Sequence, residues 1–320
     1  MNKSRPRASI GMPVYNGEKY IEQAINSILA QTYLDFELII SDNASTDRTS
    51  EICREYSVQD KRVHYVRNPK NLGAAPNYNR AFELSSGEYF KWADYDDLIA
   101  PDFISKSVEV LDQNPDIVLC FPLVRVIDEN GIVLGDYEYK SDTSSPDPLI
   151  RFRNLLLRPD TAYEVSGLIR SSAIQKTALH GSFPASDLVF LAELALQGGF
   201  YKIPEPLFFP RYHAEQSWQV IPVERNRVSF FDTSYQGKIT LPKWQYLFAY
   251  LGAIRRAPIN FEQRAYCYAC LVRWIFIPDH FRALGKDVLI AANQLLAQAL
   301  LGSRSKAKQI SDDPKSGVIT

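Results

Sequence analysis

The strongest constraint on the fold is an alternation that runs through the first 120 residues: short apolar runs trade places with amphipathic stretches. Ala8 to Met12 reads as a strand ending at Pro13. Asn16 is placed to cap a helix in which Ile21, Ala24, Ile25, Ile28 and Leu29 recur at helical spacing. Phe36 to Ser41 is a second strand, followed by the polar turn Asp42 to Asp47 and a helix pattern through Val58. Val63 to Val66 is a third. A loop rich in Asn and Gly and a helical stretch from Tyr78 to Leu84 follow, then strands at Tyr89 to Ala93 and Ile117 to Val126. Strands alternating with helices imply right-handed crossovers, hence an α/β fold with a mostly parallel sheet flanked by helices. Such sheets bind ligands beyond the carboxyl ends of their strands, where the unusual polar residues of this chain fall.

The rest of the chain supports one large or two modest domains. Its 320 residues, 46% apolar and 12% aromatic, are enough for a core without disulfide or metal staples and too rich in core-formers for disorder. With 36 Lys+Arg against 37 Asp+Glu, the formal net charge of −1 gives no support to nucleic-acid binding. Cys267 and Cys270 have CxxC spacing, but no second pair completes a zinc site, and a buried helix face suits both better. The polar start, Met1 to Arg7, is unlike a signal peptide. Ala265 to Pro278, interrupted by Arg273, is too short to span a membrane, so a cytoplasmic protein is expected. Asp136 to Pro148 is polar and reads as an ordered insertion or a mobile loop, Pro206 to Phe209 as a closing strand, and the chain turns helical after about Pro222. The expected division is a catalytic domain at 1–222 and a helical region at 223–320 with a polar tail after about 302.

The chemistry concentrates in the turn Asp94-Tyr95-Asp96-Asp97, directly after the fourth strand. Carboxylates crowded into one turn repel one another unless a cation or hydrogen-bond donors offset them. Mg2+ or Mn2+ is the natural offset, because hard carboxylate ligands and substrate phosphates complete its shell together. A solvated turn with Asp97 capping the next helix is the bland alternative for a lone DxD.

Here the DxD is not alone. Ile10-Gly11-Met12-Pro13-Val14-Tyr15-Asn16-Gly17, then Ile39-Ile40-Ser41-Asp42-Asn43-Ala44-Ser45-Thr46-Asp47, then Asn71-Leu72-Gly73 with Asn77, then the acidic turn, arrive in order at successive strand ends. Together they resemble the nucleotide-sugar-dependent glycosyltransferases of family 2, which have the GT-A fold, over about residues 7–215. The resemblance implies that Pro13, Val14, Tyr15, Asn16 and Asp42 hold the nucleotide base and ribose, with Asn71, Asn77 and Tyr95 beside them. Asp94 would face the ribose or the metal shell, and Asp96 would be the direct ligand of Mn2+ or Mg2+. Asp47 is left as a first-turn helix charge.

Two further elements carry the resemblance. Phe183 to Leu194 matches the family's acidic motif below the acceptor cleft, with Ser186 in place of the first acid and Asp187 where the base stands. Asp187 could equally be a carboxylate stabilised by a helix dipole. Pro210-Arg211-Tyr212-His213 matches an Arg-x-His element, implying that Arg211 pairs with phosphate and His213 is a metal ligand. His64, His180 and His280 are assigned structural roles, and Trp92 the core or an acceptor wall.

The resulting expectation is an inverting, metal-dependent hexosyltransferase. Its donor is a nucleoside-diphosphate sugar, UDP foremost, and its acceptor a glycan or lipid-linked hydroxyl in cell-surface polysaccharide synthesis. A nucleotidyltransferase is disfavoured by Pro13-Val14-Tyr15-Asn16, where a basic Gly-rich loop is needed. Retention of Asp94, Asp96 and Asp187 weighs against a non-catalytic binding module, and the lack of GxGxxG against a dehydrogenase. The charge is unevenly spread. Residues 1–222 hold 22 basic and 30 acidic residues, a balance of −8, and the remainder 14 and 7, a balance of +7. Trp244, Tyr246, Phe248, Tyr250 and Trp274 stand among Lys243, Arg255, Arg256, Arg264 and Arg273. That pattern fits peripheral contact with the inner face of an anionic membrane through 243–300, and equally packing on the core or on a second copy.

Overall fold

Each apolar run becomes a strand where burial on both faces offsets the cost of ordering it. The structure, a computed structural model, describes residues 5–139, 142–157, 161–221 and 227–311. Its strands are β1 (Ala8–Val14), β2 (Phe36–Asp42), β3 (Val63–Arg67), β4 (Tyr89–Trp92), β5 (Leu98–Ile99), β6 (Ile117–Ile127), β7 (Val133–Tyr137), β8 (Leu168–Arg170) and β9 (Gly199–Phe209). Helices α1 (Ile21–Leu29), α2 (Thr49–Gln59), α3 (Ala74–Glu83), α4 (Phe103–Gln113) and α5 (Pro148–Leu157) lie between the first eight, and α6 (Ser171–Ile174) follows β8. Then come α7 (Ser186–Ala195), α8 (Ser217–Val220), α9 (Val228–Phe231), α10 (Pro242–Arg256), α11 (Phe261–Ile275) and α12 (Pro278–Ser311).

One sheet runs in the order β3-β2-β1-β4-β8-β6-β9-β5, with β7 paired to β6. β3, β2, β1 and β4 are mutually parallel, so they end on one edge. Beyond β4 the short β8 runs antiparallel, and β6 and β9 resume the parallel direction. Two apolar layers sandwich the sheet. Ile21, Ile25 and Ile28 of α1, Cys53 of α2, and Phe103 and Leu111 of α4 fill one face. Phe82 of α3, Phe152 and Leu155 of α5 and Phe190 of α7 fill the other.

The C-terminal helices belong to that second core. Tyr246, Tyr250 and Ile254 of α10 and Cys267, Leu271 and Trp274 of α11 are buried in one cluster with α5 and α7. Much of the aromatic face that the sequence leaves open to membrane, subunit or core therefore packs on the catalytic core. Cys267 and Cys270 are buried free thiols, as a packed helix face requires. The expected domain boundary at 222 falls outside the described residues.

Three local expectations change. Asn16 does not cap α1, which starts behind Tyr20 without a side-chain cap. It takes a left-handed conformation (φ 53°), which Asn tolerates, and its Oδ1 accepts from the backbone N–H of Thr46 at 2.8 Å. The polar stretch from Asp136 begins in a strand, because Arg125 pairs with Asp136 at 2.7 Å and draws it into β7. The tail expected after 302 is helical to Ser311.

Candidate active site

The parallel register sets Val14 beside Asp42 and Gly11 beside Trp92, so the loops after β1, β2 and β4 converge at one edge of the sheet. The loop after β1 is the open one. Pro13 and Val14 are buried strand residues, whereas Tyr15 is 40% exposed and Asn16 lies at the surface beside it. Gly17 lets this loop touch the acidic turn: a Cβ there would stand 2.7 Å from the Tyr95 ring.

Several residues expected to touch nucleotide also brace the loops. Asp42 is fully buried. Its Oδ1 accepts from Ser45 N–H at 2.8 Å, and its Oδ2 from the Tyr65 hydroxyl at 2.6 Å and Arg67 at 2.9 Å. Enclosed and supplied with these donors, the carboxylate fastens the loop after β2 to β3. Asn77 is buried between Ser41 and Asn68, and Asn71 accepts from Asn43 and from Gly73 N–H. These amides hold the loops in place.

Arg211 is enclosed in the same way. It is 1% exposed, its ring neighbour is Tyr20, and its guanidinium donates to the carbonyls of Asp96 (2.8 Å), Asp128 (3.3 Å) and Glu129 (2.9 Å) and to Gln23 (2.8 Å). These bonds take four of its five N–H groups. Its own backbone N–H meets Asp97 Oδ1 at 2.8 Å, so Arg211 and Asp97 fasten the end of β9 to the acidic turn. That contact replaces the helix cap considered for Asp97.

What this scaffold presents is a pair. His213 Nε2 lies 2.8 Å from Asp96 Oδ2, with the two side chains 2% and 14% exposed, and the imidazole packs on Tyr20. Asp94 accepts from the Tyr78 hydroxyl of α3. Burial, reinforced by the Asp96 charge, raises the Asp94 pKa to about 6, and burial with both neighbours raises Asp97 well above the carboxylate range. Two ligands on adjacent vertices of an octahedron at about 2.1 Å from the ion are about 3 Å apart, so the Asp96–His213 spacing fits one divalent cation. Among the described residues no group of three His, Cys, Asp or Glu could hold a metal by itself. The fit is to a cation whose shell is completed by phosphate and water.

Asp187 occupies the first turn of α7, behind Ala185 in a left-handed conformation (φ 54°), and its Oδ1 accepts from Leu188 N–H at 2.9 Å. Its charge acts on Asp94 and on Tyr250 of α10, raising both pKa values beyond the effect of burial. Ser186, in place of an acid, is buried. Trp92 is core: its indole donates to Tyr78 O at 2.9 Å and meets Phe90, His180 and Phe190 edge to face. Tyr20, just before α1, Tyr78 on α3 and Tyr250 on α10 were not among the expected site residues, because an aromatic in or beside a helix signals only packing.

A half-parallel sheet with an acidic turn after β4, a histidine after β9 and a carboxylate on the facing helix is the layout of a GT-A glycosyltransferase. S. aureus TarS 1–349 in complex with UDP-GlcNAc shares this fold at TM-score 0.55 and 16% identity, covering 86% of this chain and 91% of that one. A mannosyltransferase from Pyrobaculum calidifontis, in complex with GDP-Man and Mn2+, shares it at TM-score 0.56 and 17% identity, covering 95% and 81%. Residues 9–175 match the model of glycosyl transferase family 2, and the chain belongs to that family. An uncharacterised glycosyltransferase of Methanocaldococcus jannaschii is 37% identical over 42% of this chain and 47% of its own length, so the match spans about half of that relative. One from Haemophilus influenzae is 29% identical over 70% and 71%. The teichuronic acid biosynthesis glycosyltransferase TuaG of Bacillus subtilis, itself a provisional assignment, is 37% identical over 35% and 44%.

Proposed function

We propose that this family 2 glycosyltransferase is inverting and metal-dependent, moving a hexosyl group from a UDP-sugar to a hydroxyl of a glycan or lipid-linked acceptor in cell-surface polysaccharide synthesis. The observation that carries the reading is the Asp96–His213 pair, 2.8 Å apart beside Asp94 and a first-turn Asp187. A divalent cation bound by Asp96 and His213 supplies Lewis-acid stabilisation of the departing diphosphate. Tyr15 and Asn16 flank the base, and Tyr95, packed on Gly17, closes the edge between nucleotide and acidic turn. Asp187 takes the proton from the acceptor hydroxyl, and a single displacement inverts the anomeric centre. TarS, a structural relative, was solved with UDP-GlcNAc, and TuaG is assigned to teichuronic acid synthesis, which supports the donor and product class. Asp96→Ala should abolish Mn2+-dependent UDP binding by calorimetry, and Asp187→Asn should keep that binding and lose turnover. Retention of the donor's anomeric configuration in the product, read by NMR, refutes the displacement.

A membrane-facing role at the cytoplasmic surface is part of the same reading. No helix among the described residues is long and apolar enough to cross a membrane. Yet Phe261, Phe276, Phe281 and Leu289 of α11 and α12 are 85%, 68%, 58% and 67% exposed, on the basic side of the chain. Flotation with anionic but not zwitterionic vesicles, lost in Phe276→Ser/Phe281→Ser, is the expected result. A concentration-dependent dimer without flotation assigns the face to a second copy instead.

A further inference from the structure

Beneath the acidic turn lies a charge that the proposed chemistry does not use. Lys91 belongs to β4, three residues before Asp94, and none of its surface reaches solvent. An ammonium there loses its hydration at a cost of several kcal/mol unless the interior returns acceptors or negative charge. The interior returns both. Nζ donates to the backbone carbonyl of Ser166 and rests 4.8 Å and 5.2 Å from the ring centres of Phe103 and Phe208. Lys91 also shares with Asp94 and Asp97 the lining of a cavity of about 10 Å³, room for about one water. The hydrogen bonds to those two carboxylates come from neutral donors, the Tyr78 hydroxyl and the Arg211 backbone N–H. Burial draws the Lys91 pKa down to about 8, and the carboxylates of Asp94 and Asp97 oppose the fall.

We propose that Lys91 is the fixed counter-charge of the acidic turn, a positioning residue that holds Asp94 and Asp97 in place before a metal arrives and weakens the site's grip on a bare cation. The donor diphosphate is then needed to complete a tight metal site, which ties cation binding to donor binding. The inference rests on the reading that Asp96 and His213 hold a divalent cation. A lysine that merely staples the Ser166 carbonyl would do none of this.

The test is titration of Mn2+ alone, and of Mn2+ with UDP or GDP, followed by electron paramagnetic resonance at pH 7. Lys91→Met keeps the stem without the charge, and Lys91→Gln keeps a donor for Ser166. Circular dichroism checks that each is folded. In either variant the bare cation should bind at least about tenfold more tightly, because a buried like charge has been removed from beside it. The gain from added nucleotide should shrink. Unchanged or weaker Mn2+ binding by a folded variant overturns the role of Lys91. If the unaltered chain binds no Mn2+ even with nucleotide, it is the metal reading that fails. Should neither variant fold, ¹⁵N NMR of lysine side chains in the unaltered chain decides. The Lys91 signal moves on adding Mg2+ with nucleotide if it faces the cation, and an unmoved signal overturns the proposal.

Discussion

Arg256→Met isolates the junction between the C-terminal helices and the catalytic core. Glu193 of α7 is 1% exposed, and Arg256 at the end of α10 grips it with two bonds, Nε to Oε1 at 2.6 Å and NH2 to Oε2 at 3.1 Å. Removing the guanidinium leaves a buried carboxylate with Ala178 N–H, at 3.1 Å, as its remaining donor among the described residues. Breaking a buried pair from one side costs about 3–5 kcal/mol. The Arg256 side chain is 42% exposed, so water partly replaces it, and the expected loss is about 2–4 kcal/mol. Urea unfolding followed by tryptophan fluorescence reads the loss directly. Glu193→Gln/Arg256→Met should recover at least about 1 kcal/mol relative to the single change, since no unpaired charge is then buried. Because α7 also carries Asp187, turnover should fall with donor affinity unchanged. A loss under about 0.5 kcal/mol in Arg256→Met, with no recovery in the double variant, refutes the clamp.

His180 is enclosed by Tyr78, Trp92 and Phe190, and burial draws its pKa down to about 4 from 6.5. Its contribution is therefore intact above pH 6.5 and lost as pH falls toward 4, by up to about 3 kcal/mol; His180→Phe should flatten the fall in urea midpoint between pH 7 and 4.5, and an equal fall in both proteins refutes this. Gly73 has φ +97°, and a Cβ there would stand 2.6 Å from the carbonyl oxygen of Phe231. Gly73→Ala should cost about 1–3 kcal/mol and loosen the contact of Thr233 with Leu72 and Asn71, an effect that an unchanged melting temperature would exclude. Ser186→Asp sets a second carboxylate beside Asp187, and like charge raises the pKa of a base that works ionised. The acid limb of the pH–rate profile should move up by about one unit; a stationary limb removes Asp187 from that role.

The alternation of runs was enough to place β1 to β4, since short apolar runs between helical stretches admit few other arrangements. The antiparallel β8 was not legible: Leu168–Arg170 is three residues long, and its pairing with β4 and β6 is a long-range choice. The C-terminal helices were legible as helices, but not their partner. Tyr246, Tyr250 and Trp274 would look the same against lipid, a second subunit or α7, and only the third is where the structure puts them. Lys91 was hidden for the opposite reason. A lysine within an apolar strand reads as an edge or surface residue, and its burial depends on Ser166 and two rings that lie far away in sequence.

The acids at the strand ends show where a motif stops informing. Asp42 ends β2 and Asp96 lies in the turn after β4, and their residue type is identical. Asp42 is met by an amide N–H, a phenol and a guanidinium, all within 2.9 Å, and is sealed. Asp96 keeps some exposure and one close side-chain partner, His213. The difference is made by neighbours: Tyr65 and Arg67 on β3 supply Asp42, whereas Arg211, which could have neutralised Asp96, spends its guanidinium on backbone carbonyls. An arginine consumed in that way stiffens the turn while leaving its carboxylate negative. A cation site needs that combination of rigid backbone and unspent charge, and it follows from the count of donors around each acid more than from the acid's place in the sequence.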